Sequence, residues 1–392
     1  MRLSLTLAIL LASTSIIDAQ EITMNDLKDR ISGCNQELKV YDSDISTAKI
    51  NQQSVSVQSL PTLTLNLNGY VNEETNQSDI TANMPLYTFG AQQAKEIVAE
   101  QKLSLSQVVR EQKLQSITKL VAENLIKLQY TRQKTTALEF YLDRLIELER
   151  TVQNRTKVGL SAQAELLEVA NELISKRTAL SELEKLSLEI QGNLRRDNCG
   201  NSEFLLTLPV VETIAAKKTA ALDKNADLNA IDRKISVEKS EIEVAETSSR
   251  PTLNARAVKP VEGKEKIGLS LTYTYEHFGR SQQIKVQKQR EALEKARREL
   301  ASKETELREA LVITIEHVNL LSQKLIPELS EHLDVLEKTL ESKLRLLDGG
   351  RADVAEVVNA YQQMSQAEVR LLEQKMNLEL NIINVEHMVG LQ

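Results

Sequence analysis

The chain repeats itself once, and this repeat limits what it can fold into. LPTL at 60–63 returns as RPTL at 250–253, and YTFG at 87–90 returns as EHFG at 276–279. The distance from Pro to Phe is 28 residues in the first copy and 27 in the second. Landmarks that recur in the same order at nearly equal spacing predict two structural repeats within one chain.

Each Phe-Gly pair is followed by a long segment with helical periodicity, which glycine interrupts at 158–160 and at 349–351. Another helical segment follows each interruption. Each half therefore reads as helix, two strands, long helix, turn and long helix. The expected boundaries are a first repeat at 20–199, with strands at about 61–89 and a hairpin at 91–196, and a second at 200–392, with strands at about 251–278 and a hairpin at 280–389.

The helical segments carry apolar seams of the coiled-coil type, in which positions step by three and four residues. Only 12 Gly and 6 Pro interrupt 392 residues, which favours long helices. At a rise of 1.5 Å, helices of roughly 65 residues would reach about 100 Å, which suits a tube, rod or filament. The two seams are Leu138, Tyr141, Leu145, Leu148 and Val152, and Leu333, Leu336, Leu340, Lys343 and Leu347.

The strand segments alternate apolar and polar residues, so each strand has one apolar and one polar face. Leu63, Leu65 and Leu67 interleave with Thr64 and Asn66, for example. A length of about 10 residues is what a tilted membrane strand needs. Taken alone, the pattern fits a soluble hairpin with one buried face better.

The first 19 residues predict a secretory signal peptide. Arg2 provides the basic start, residues 3–12 form a short apolar stretch, and Ala19 closes a cleavage site. The alternative is a buried N-terminal helix. No later stretch approaches 18 apolar residues, so membrane insertion would have to use β-strands.

Charge and composition argue against several functional classes. The chain carries 49 Lys and Arg against 56 Asp and Glu, has no Trp and has few other aromatic residues, so nucleic acid is a poor ligand. Its four His show no metal-ligand spacing, and its two Cys cannot form a multi-Cys zinc site. With no nucleophile–base pair or phosphate-binding loop, we expect neither an enzyme nor a cofactor.

The doubled Pro-x-Leu and Phe-Gly landmarks occur together with the turn Arg155-x-x-Val158-Gly159-Leu160. In this combination the sequence resembles the outer membrane efflux protein (TolC) family over essentially the whole mature chain. The turn resembles the family's R-[FY]-x-V-G-L, with Thr156 where the aromatic residue usually stands.

The resemblance implies a mainly α fold with a small membrane β-barrel. Three chains would form one tube, each giving four strands to a shared 12-stranded barrel and long helices to a periplasmic α-barrel. Physical reasoning agrees on one point, because four strands cannot close a barrel and the smallest known barrels have eight. The expected location is the bacterial outer membrane, extending into the periplasm.

The function implied by the resemblance is a passive exit duct for a tripartite efflux pump or a type I secretion system. Its partners would be two further copies of itself, a periplasmic adaptor (membrane fusion) protein, an inner-membrane transporter and outer-membrane lipid. The alternative from another class is a secreted coiled-coil structural or adhesive protein without a pore.

Carboxylates at matched offsets from the two turns are candidates for a periplasmic aperture. Glu165 lies six residues after Gly159, and Glu356 lies six residues after Gly350. The family carries a carboxylate at this offset, and threefold symmetry would turn each one into a ring that selects cations. Glu168, one helical turn further on, and Asp353 are additional candidates. A solvated helix face is the plainer explanation.

The turns themselves suggest two further roles. Arg155 and Arg351 flank the turns and are candidate gate partners for the carboxylates. Small residues allow close approach of an adaptor's helices, so the candidate docking tips are Val158, Gly159, Leu160, Gly349 and Gly350.

The resemblance also implies a place for the two cysteines. Cys34 would start the first helix and Cys199 would follow the first repeat, so both would lie in a band around the middle of the tube. A disulfide between Cys34 and Cys199 is therefore expected, and two independent small residues are the alternative.

Overall fold

The computed structural model describes residues 20–66, 79–158, 162–197, 204–219, 222–260, 264–273 and 280–390. The predicted signal peptide, Gly159, Leu160 and Cys199 lie outside these residues. In chain order, the first half contains β1 (Gln20–Ile22), α1 (Met24–Cys34), α2 (Gln36–Val57), β2 (Thr62–Asn66), β3 (Asp79–Tyr87), α3 (Ala91–Lys157) and α4 (Gln163–Asp197).

The second half follows the same order of helix, strand pair and helical hairpin. Its elements are β4 (Phe204–Leu206), α5 (Val211–Ala215) with a 3-10 turn (Ala216–Thr219), α6 (Ala226–Thr247), β5 (Thr252–Pro260), β6 (Lys266–Thr272), α7 (Arg280–Leu320), a π-helical turn (Leu321–Leu325), α8 (Ile326–Asp348) and α9 (Val354–Val389). The predicted class, mainly helical with few strands, is confirmed.

One detail of the sequence prediction is wrong. Cys34 does not start the first helix, because it is the last residue of α1. Thr23 caps the beginning of α1 by accepting a hydrogen bond from the Asp26 amide, and the Asp26 carboxylate accepts one from Thr23 in return. This reciprocal cap fixes the start of α1 ten residues before Cys34, so the helix ends where the sequence analysis had placed its beginning.

The helices end where backbone chemistry requires it. At the end of α8, Gly349 is followed by Gly350, whose φ of 69° is a left-handed conformation that favours glycine. Asp353 then caps α9 by accepting a hydrogen bond from the Ala355 amide at 3.4 Å. At its other end, α9 closes on Gly390, which is also left-handed.

A π-helical turn separates α7 from α8. The Ile326 amide donates to the Leu321 carbonyl, which lies five residues back instead of four. Pro327 follows at once, in the first turn of α8. Because Pro has no amide hydrogen and its ring crowds the preceding turn, the wider turn accommodates it without ending the helical run.

The structure divides into two compact units, the first made of residues 1–35, 114–221 and 308–392. Its main apolar cluster joins α3, α4, α8 and α9. All five residues of the first predicted seam are buried. In the second seam, Leu340 and Leu347 belong to the cluster, and Leu333 and Leu336 pack against it. The first predicted seam is thus confirmed as a core position, and the second is confirmed at its four Leu positions, whereas Lys343 is half-buried.

Polar contacts cross the same unit between α3 and α9. The Tyr141 hydroxyl donates to the Glu368 carboxylate at 2.6 Å, and the Tyr130 hydroxyl donates to Glu379 at 2.8 Å. Burial raises the pKa of the Tyr141 hydroxyl and of the Glu379 carboxyl above their usual ranges. The unit also contains a two-stranded parallel sheet formed by β1 and β4.

The second unit, residues 36–113 and 222–307, contains a four-stranded antiparallel sheet with the order β2-β3-β5-β6. Each predicted strand pair forms an antiparallel hairpin, and β3 joins the two pairs through β5. A small cluster of Ile235, Leu293 and Ala296 packs α6 against α7. None of the helices in the described residues combines the length and apolar character that crossing a membrane requires.

The seam supports one prediction about stability. Leu145 is fully buried in the helical cluster, so Leu145→Ala should lower the free energy of unfolding by about 2–5 kcal/mol through lost burial and a cavity. The volume-conserving Leu145→Met should cost less than about 1.5 kcal/mol. Denaturant unfolding followed by circular dichroism measures both, and equal midpoints for the two variants would contradict this packing.

Candidate functional site: the helical turns and the strand sheet

The two helical turns lie in the first unit, and the structure describes them unequally. Val158 is exposed at the end of α3, whereas Gly159 and Leu160 lie outside the described residues. In the second turn, Gly349 donates to the Arg345 carbonyl at 3.2 Å, and the Arg351 amide donates to the Leu346 carbonyl at 2.8 Å. These backbone bonds and the left-handed Gly350 give the second glycine pair a local role in ending α8.

The candidate carboxylates begin the helices that follow the turns. Glu165 is half-buried in the first turn of α4, and Glu168 is exposed one turn later. Glu356 is exposed in the first turn of α9, and its side chain lies 3.9 Å from the Lys343 ammonium. Acidic residues in a first turn also stabilise the helix dipole, so a local role exists beside the proposed one. Asp353 is the N-cap of α9.

The helix beginnings that carry these carboxylates share one apolar cluster. Val169 and Leu173 of α4 and Val354 and Val357 of α9 all belong to it. The structure therefore packs the N-terminal parts of α4 and α9 into the same core. Glu165 and Glu356 each lie one residue before a member or neighbour of this cluster, Leu166 and Val357.

The two arginines differ in their contacts within the chain. Arg155 donates to the Leu347 carbonyl at 3.1 Å, which ties the end of α3 to the end of α8. Arg351 is exposed at the second turn. Neither guanidinium forms an ion pair with the candidate carboxylates among the described residues of one chain, so pairing with them stays a prediction about contacts between chains.

A buried polar cluster between α4 and α9 was missed by the sequence analysis. The Lys176 ammonium lies 3.1 Å from Glu172 and donates to the Ser365 hydroxyl at 3.0 Å, and all three residues are buried. It links α4 to α9. The spacing of four between Glu172 and Lys176 was the available signal, but many exposed pairs share that spacing.

The strand sheet of the second unit turns its apolar face outward. Leu63 pairs with Ala82 and Leu65 with Ile80, so these side chains share one face. Leu63 is 76% exposed and Ile267, at the opposite edge of the sheet, is 85% exposed. The exposed apolar side chains of this face, called the apolar sheet face below, are Leu63, Leu65, Ile80, Met84, Ile267, Leu269 and Leu271.

The opposite face of the sheet is polar and partly shielded. It carries Thr81 and Asn254, both buried, together with Asn83, Arg256 and Ser270. A soluble hairpin would show the reverse arrangement, with the apolar face covered and the polar face in water. The structure therefore removes the simplest explanation of the alternating pattern.

In the part of the chain that the structure describes, no group of three or more His, Cys, Asp or Glu side chains could hold a metal ion.

Comparison with known proteins identifies the architecture. Residues 34–196 match the family model described as "Outer membrane efflux protein". No curated protein sequence matches the chain.

Solved structures match over nearly the full length. The outer-membrane channel OprN is 12% identical, with 94% of this chain and 89% of that chain covered and a TM-score of 0.80. The outer membrane protein VceC from Vibrio cholerae is 12% identical, with 94% and 96% covered and a TM-score of 0.79. The Campylobacter jejuni CmeC outer membrane channel is 16% identical, with 94% and 85% covered and a TM-score of 0.77.

At these identities the structural likeness is one of fold. Residues 34–196 match the model of the outer membrane efflux protein family, and the chain as a whole has the fold of these outer-membrane channels.

Proposed function

We propose that three copies of this chain form the exit duct of an efflux pump or a type I secretion system, through the periplasm and the outer membrane. The observation that carries this proposal is the apolar sheet face, which is exposed in the single chain. The family match of the first repeat supports the same function. Transport through such a duct is passive, and an inner-membrane partner supplies the energy.

The apolar sheet face fits lipid better than water. Moving an exposed Leu or Ile side chain from water into apolar surroundings is worth about 1.5–3 kcal/mol. Several such side chains lie on one face, so the sheet would be poorly suited to a soluble rod. The secreted coiled-coil protein without a pore is accordingly not supported.

The sheet also requires further copies of the chain. Within the described sheet, β2 pairs only with β3 and β6 only with β5, so each has an open edge. Open backbone edges are not tolerated in the hydrocarbon core, because no water is present to satisfy their N–H and C=O groups. Three chains with four strands each would close a barrel of twelve, in which β6 of one copy meets β2 of the next.

The assembly is tested by extracting the full chain in mild detergent and cross-linking it. We expect a three-chain band that disappears on boiling, and retention of the protein in outer membranes after alkaline washing. The secreted rod would wash off. A species that is solely monomeric in mild detergent would overturn the proposed duct.

The helical turns are the proposed docking points for a periplasmic adaptor protein. Val158 and the pair Gly349 and Gly350 are exposed at the ends of α3 and α8, where an adaptor helix could approach the backbone closely. Gly159 and Leu160 complete the proposed tips. The inner-membrane transporter would act through this adaptor.

The carboxylates at the start of α4 and α9 are the proposed periplasmic aperture. In a trimer, three copies each of Glu165, Glu168 and Glu356 would form rings of negative charge around the threefold axis. Rings of like charge in a constriction attract cations and repel anions. Asp353 would add charge there in addition to capping α9. Arg351, with Arg155 at the first turn, would pair with these groups on a neighbouring chain to hold the aperture closed.

The rings predict a cation-selective conductance that multivalent cations block from the periplasmic side. The triple variant Glu165→Gln/Glu168→Gln/Glu356→Gln removes the charges and nearly keeps the side-chain shapes, so the block should weaken while the trimer still forms. Planar bilayer recordings measure the block and the reversal potential.

A matched control changes three exposed carboxylates further along α4, in the variant Glu182→Gln/Glu184→Gln/Glu189→Gln. It removes the same formal charge and should leave the block in place. If multivalent cations block both triple variants as strongly as they block the unmodified protein, the aperture carboxylates form only a solvated helix face.

The structure adds a reason to expect the disulfide between Cys34 and Cys199. Asn35, next to Cys34, is buried and donates a side-chain hydrogen bond to the Asp197 carbonyl at 3.0 Å. This bond holds together two segments that each lie within two residues of a cysteine. Both cysteines follow the predicted signal peptide, so after export they would lie in an oxidising compartment in which disulfides form.

Protein purified from the periplasmic side without reductant should contain no thiol that iodoacetamide can alkylate under denaturing conditions. Because a bond across so long a loop stabilises by typically about 2–4 kcal/mol, reduction should also lower the thermal midpoint. As a control, Cys34→Ser should expose the single thiol of Cys199. Two alkylatable thiols in the unmodified protein would exclude the bond.

A further inference from the structure

We infer that Arg256 forms a ring of positive charge in the strand-lined part of the duct and biases that part toward anionic cargo. This inference rests on the proposed trimer. It assigns the strand region a selectivity opposite to that of the proposed aperture carboxylates.

The register places Arg256 on the polar face of the sheet, midway along β5. It pairs with Asn83 of β3 on one side and with Gly268 of β6 on the other. Directly paired residues of antiparallel strands project to the same face. The neighbouring pairs of Ala255 with Leu269 and Ala257 with Ile267 project to the apolar sheet face. When the apolar sheet face meets lipid, Arg256 therefore faces the lumen.

The opposite orientation is energetically unfavourable. An arginine on the lipid face of a barrel costs about 2–4 kcal/mol at the bilayer midplane. Lys259, the basic residue of β5 on the apolar sheet face, lies near the strand end and pairs with Glu265 at 3.2 Å. The charge in the middle of β5 is therefore on the face where water is available.

Among the described strand residues, none compensates the charge of Arg256. The residues directly opposite it in the cross-strand row are Thr62, Asn83 and Gly268, which are all uncharged. Among the described residues, no hydrogen bond or ion pair engages the Arg256 guanidinium. In the described part of the sheet, the carboxylate on the same face is Asp79, which is paired with Pro260 at the far end of β5 and accepts a hydrogen bond from Thr81 at 2.8 Å. Pro260 is four residues from Arg256, so Asp79 lies about 13 Å from Arg256 along the strand direction.

Gly268 keeps the space beside the guanidinium open. A Cβ atom added at Gly268 would meet no atom within 4 Å of the surrounding chain. An anion could therefore approach Arg256 from this side. Lys266, two residues from Gly268, also lies on this face. Together with Arg256 and Asp79 it gives the polar face of the described strands two positive charges and one negative charge.

Threefold symmetry would convert this residue into a ring of three guanidinium groups. Rings of Arg or Lys in a pore favour anions over cations. In a wide, water-filled lumen their reach is set by the Debye length, which is about 30 Å at 0.01 M and about 3 Å at 1 M salt. The selectivity should therefore depend strongly on ionic strength. An effect of pore size would not show this dependence.

The test uses the full-length trimer in planar bilayers, with KCl gradients centred on low and on high salt. Arg256→Gln removes the charge, and Gly268→Asp places a carboxylate directly beside the unmodified Arg256. Each should raise the permeability ratio of K⁺ to Cl⁻ about twofold to fivefold near 0.01 M and leave it unchanged near 1 M. Lys259→Gln removes an equal charge from the apolar sheet face and should not change the ratio.

The outcomes separate this inference from the function on which it rests. If the unmodified protein forms no trimer and no channel, the proposed duct fails. If the channel forms and neither Arg256→Gln nor Gly268→Asp changes the permeability ratio at low salt, the ring is refuted and the duct remains. An equal shift with Lys259→Gln would also refute it, because the effect would not depend on the face. Heat-sensitive trimers in gel electrophoresis verify that each variant has folded.

Discussion

The open backbone edges of β2 and β6 are the constraint on which the rest of the structure depends. A four-stranded sheet with an exposed apolar face is unstable in water as a single chain and cannot remain open in lipid, where unpaired N–H and C=O groups cost several kcal/mol each. In the proposed trimer, lateral pairing between copies would satisfy the edges, and lipid would cover the apolar sheet face. The apolar sheet face and the open edges are thus the two observations on which the proposed assembly rests.

The helices solve a different problem, because they have no need of lipid and must hold their packing in water. Their stability comes from the cluster in which Tyr141, Leu145 and Val152 of α3 pack with residues of α4, α8 and α9. The Tyr141–Glu368 and Lys176–Ser365 hydrogen bonds make this packing more specific, because each one fixes which turns of two helices lie side by side. Apolar burial supplies most of the stability, and the polar contacts select the register.

Periodic features of the fold were accessible from sequence, and features that depend on single long-range contacts were not. The seam of Leu138 to Val152 repeats every three or four residues, so the helix face can be read locally and the structure confirms it. The three-residue pairing of β1 with β4 has no period to detect, since Gln20 and Phe204 meet only in the folded chain. The position of Cys34 was wrong for a different reason, because the capping pair of Thr23 and Asp26, a local feature, sets the start of α1 at Met24.

The candidate site shows the same division. Offsets from the two glycine turns located Glu165 and Glu356 at the start of α4 and α9, because turn and helix start are local features. The side-chain partners of Arg155 and Lys176 could not be predicted, since they depend on which helices lie beside each other. Likewise, alternation assigned two faces to each strand, but only the sheet revealed that the apolar one is uncovered.

The π-helical turn changes which positions along α7 and α8 face the same side of the helix. A turn that closes on the fifth residue inserts one extra residue into the run of α7 and α8, and one residue corresponds to about 100° around a helix axis. Buried positions therefore follow one seven-residue count at Leu311 and Val318, which would continue to 339 and 346, and a count displaced by one at Leu340 and Leu347. The extra residue therefore shifts the pattern of buried positions by one step, and the helical run that contains Pro327 has a buried stripe both before and after the proline.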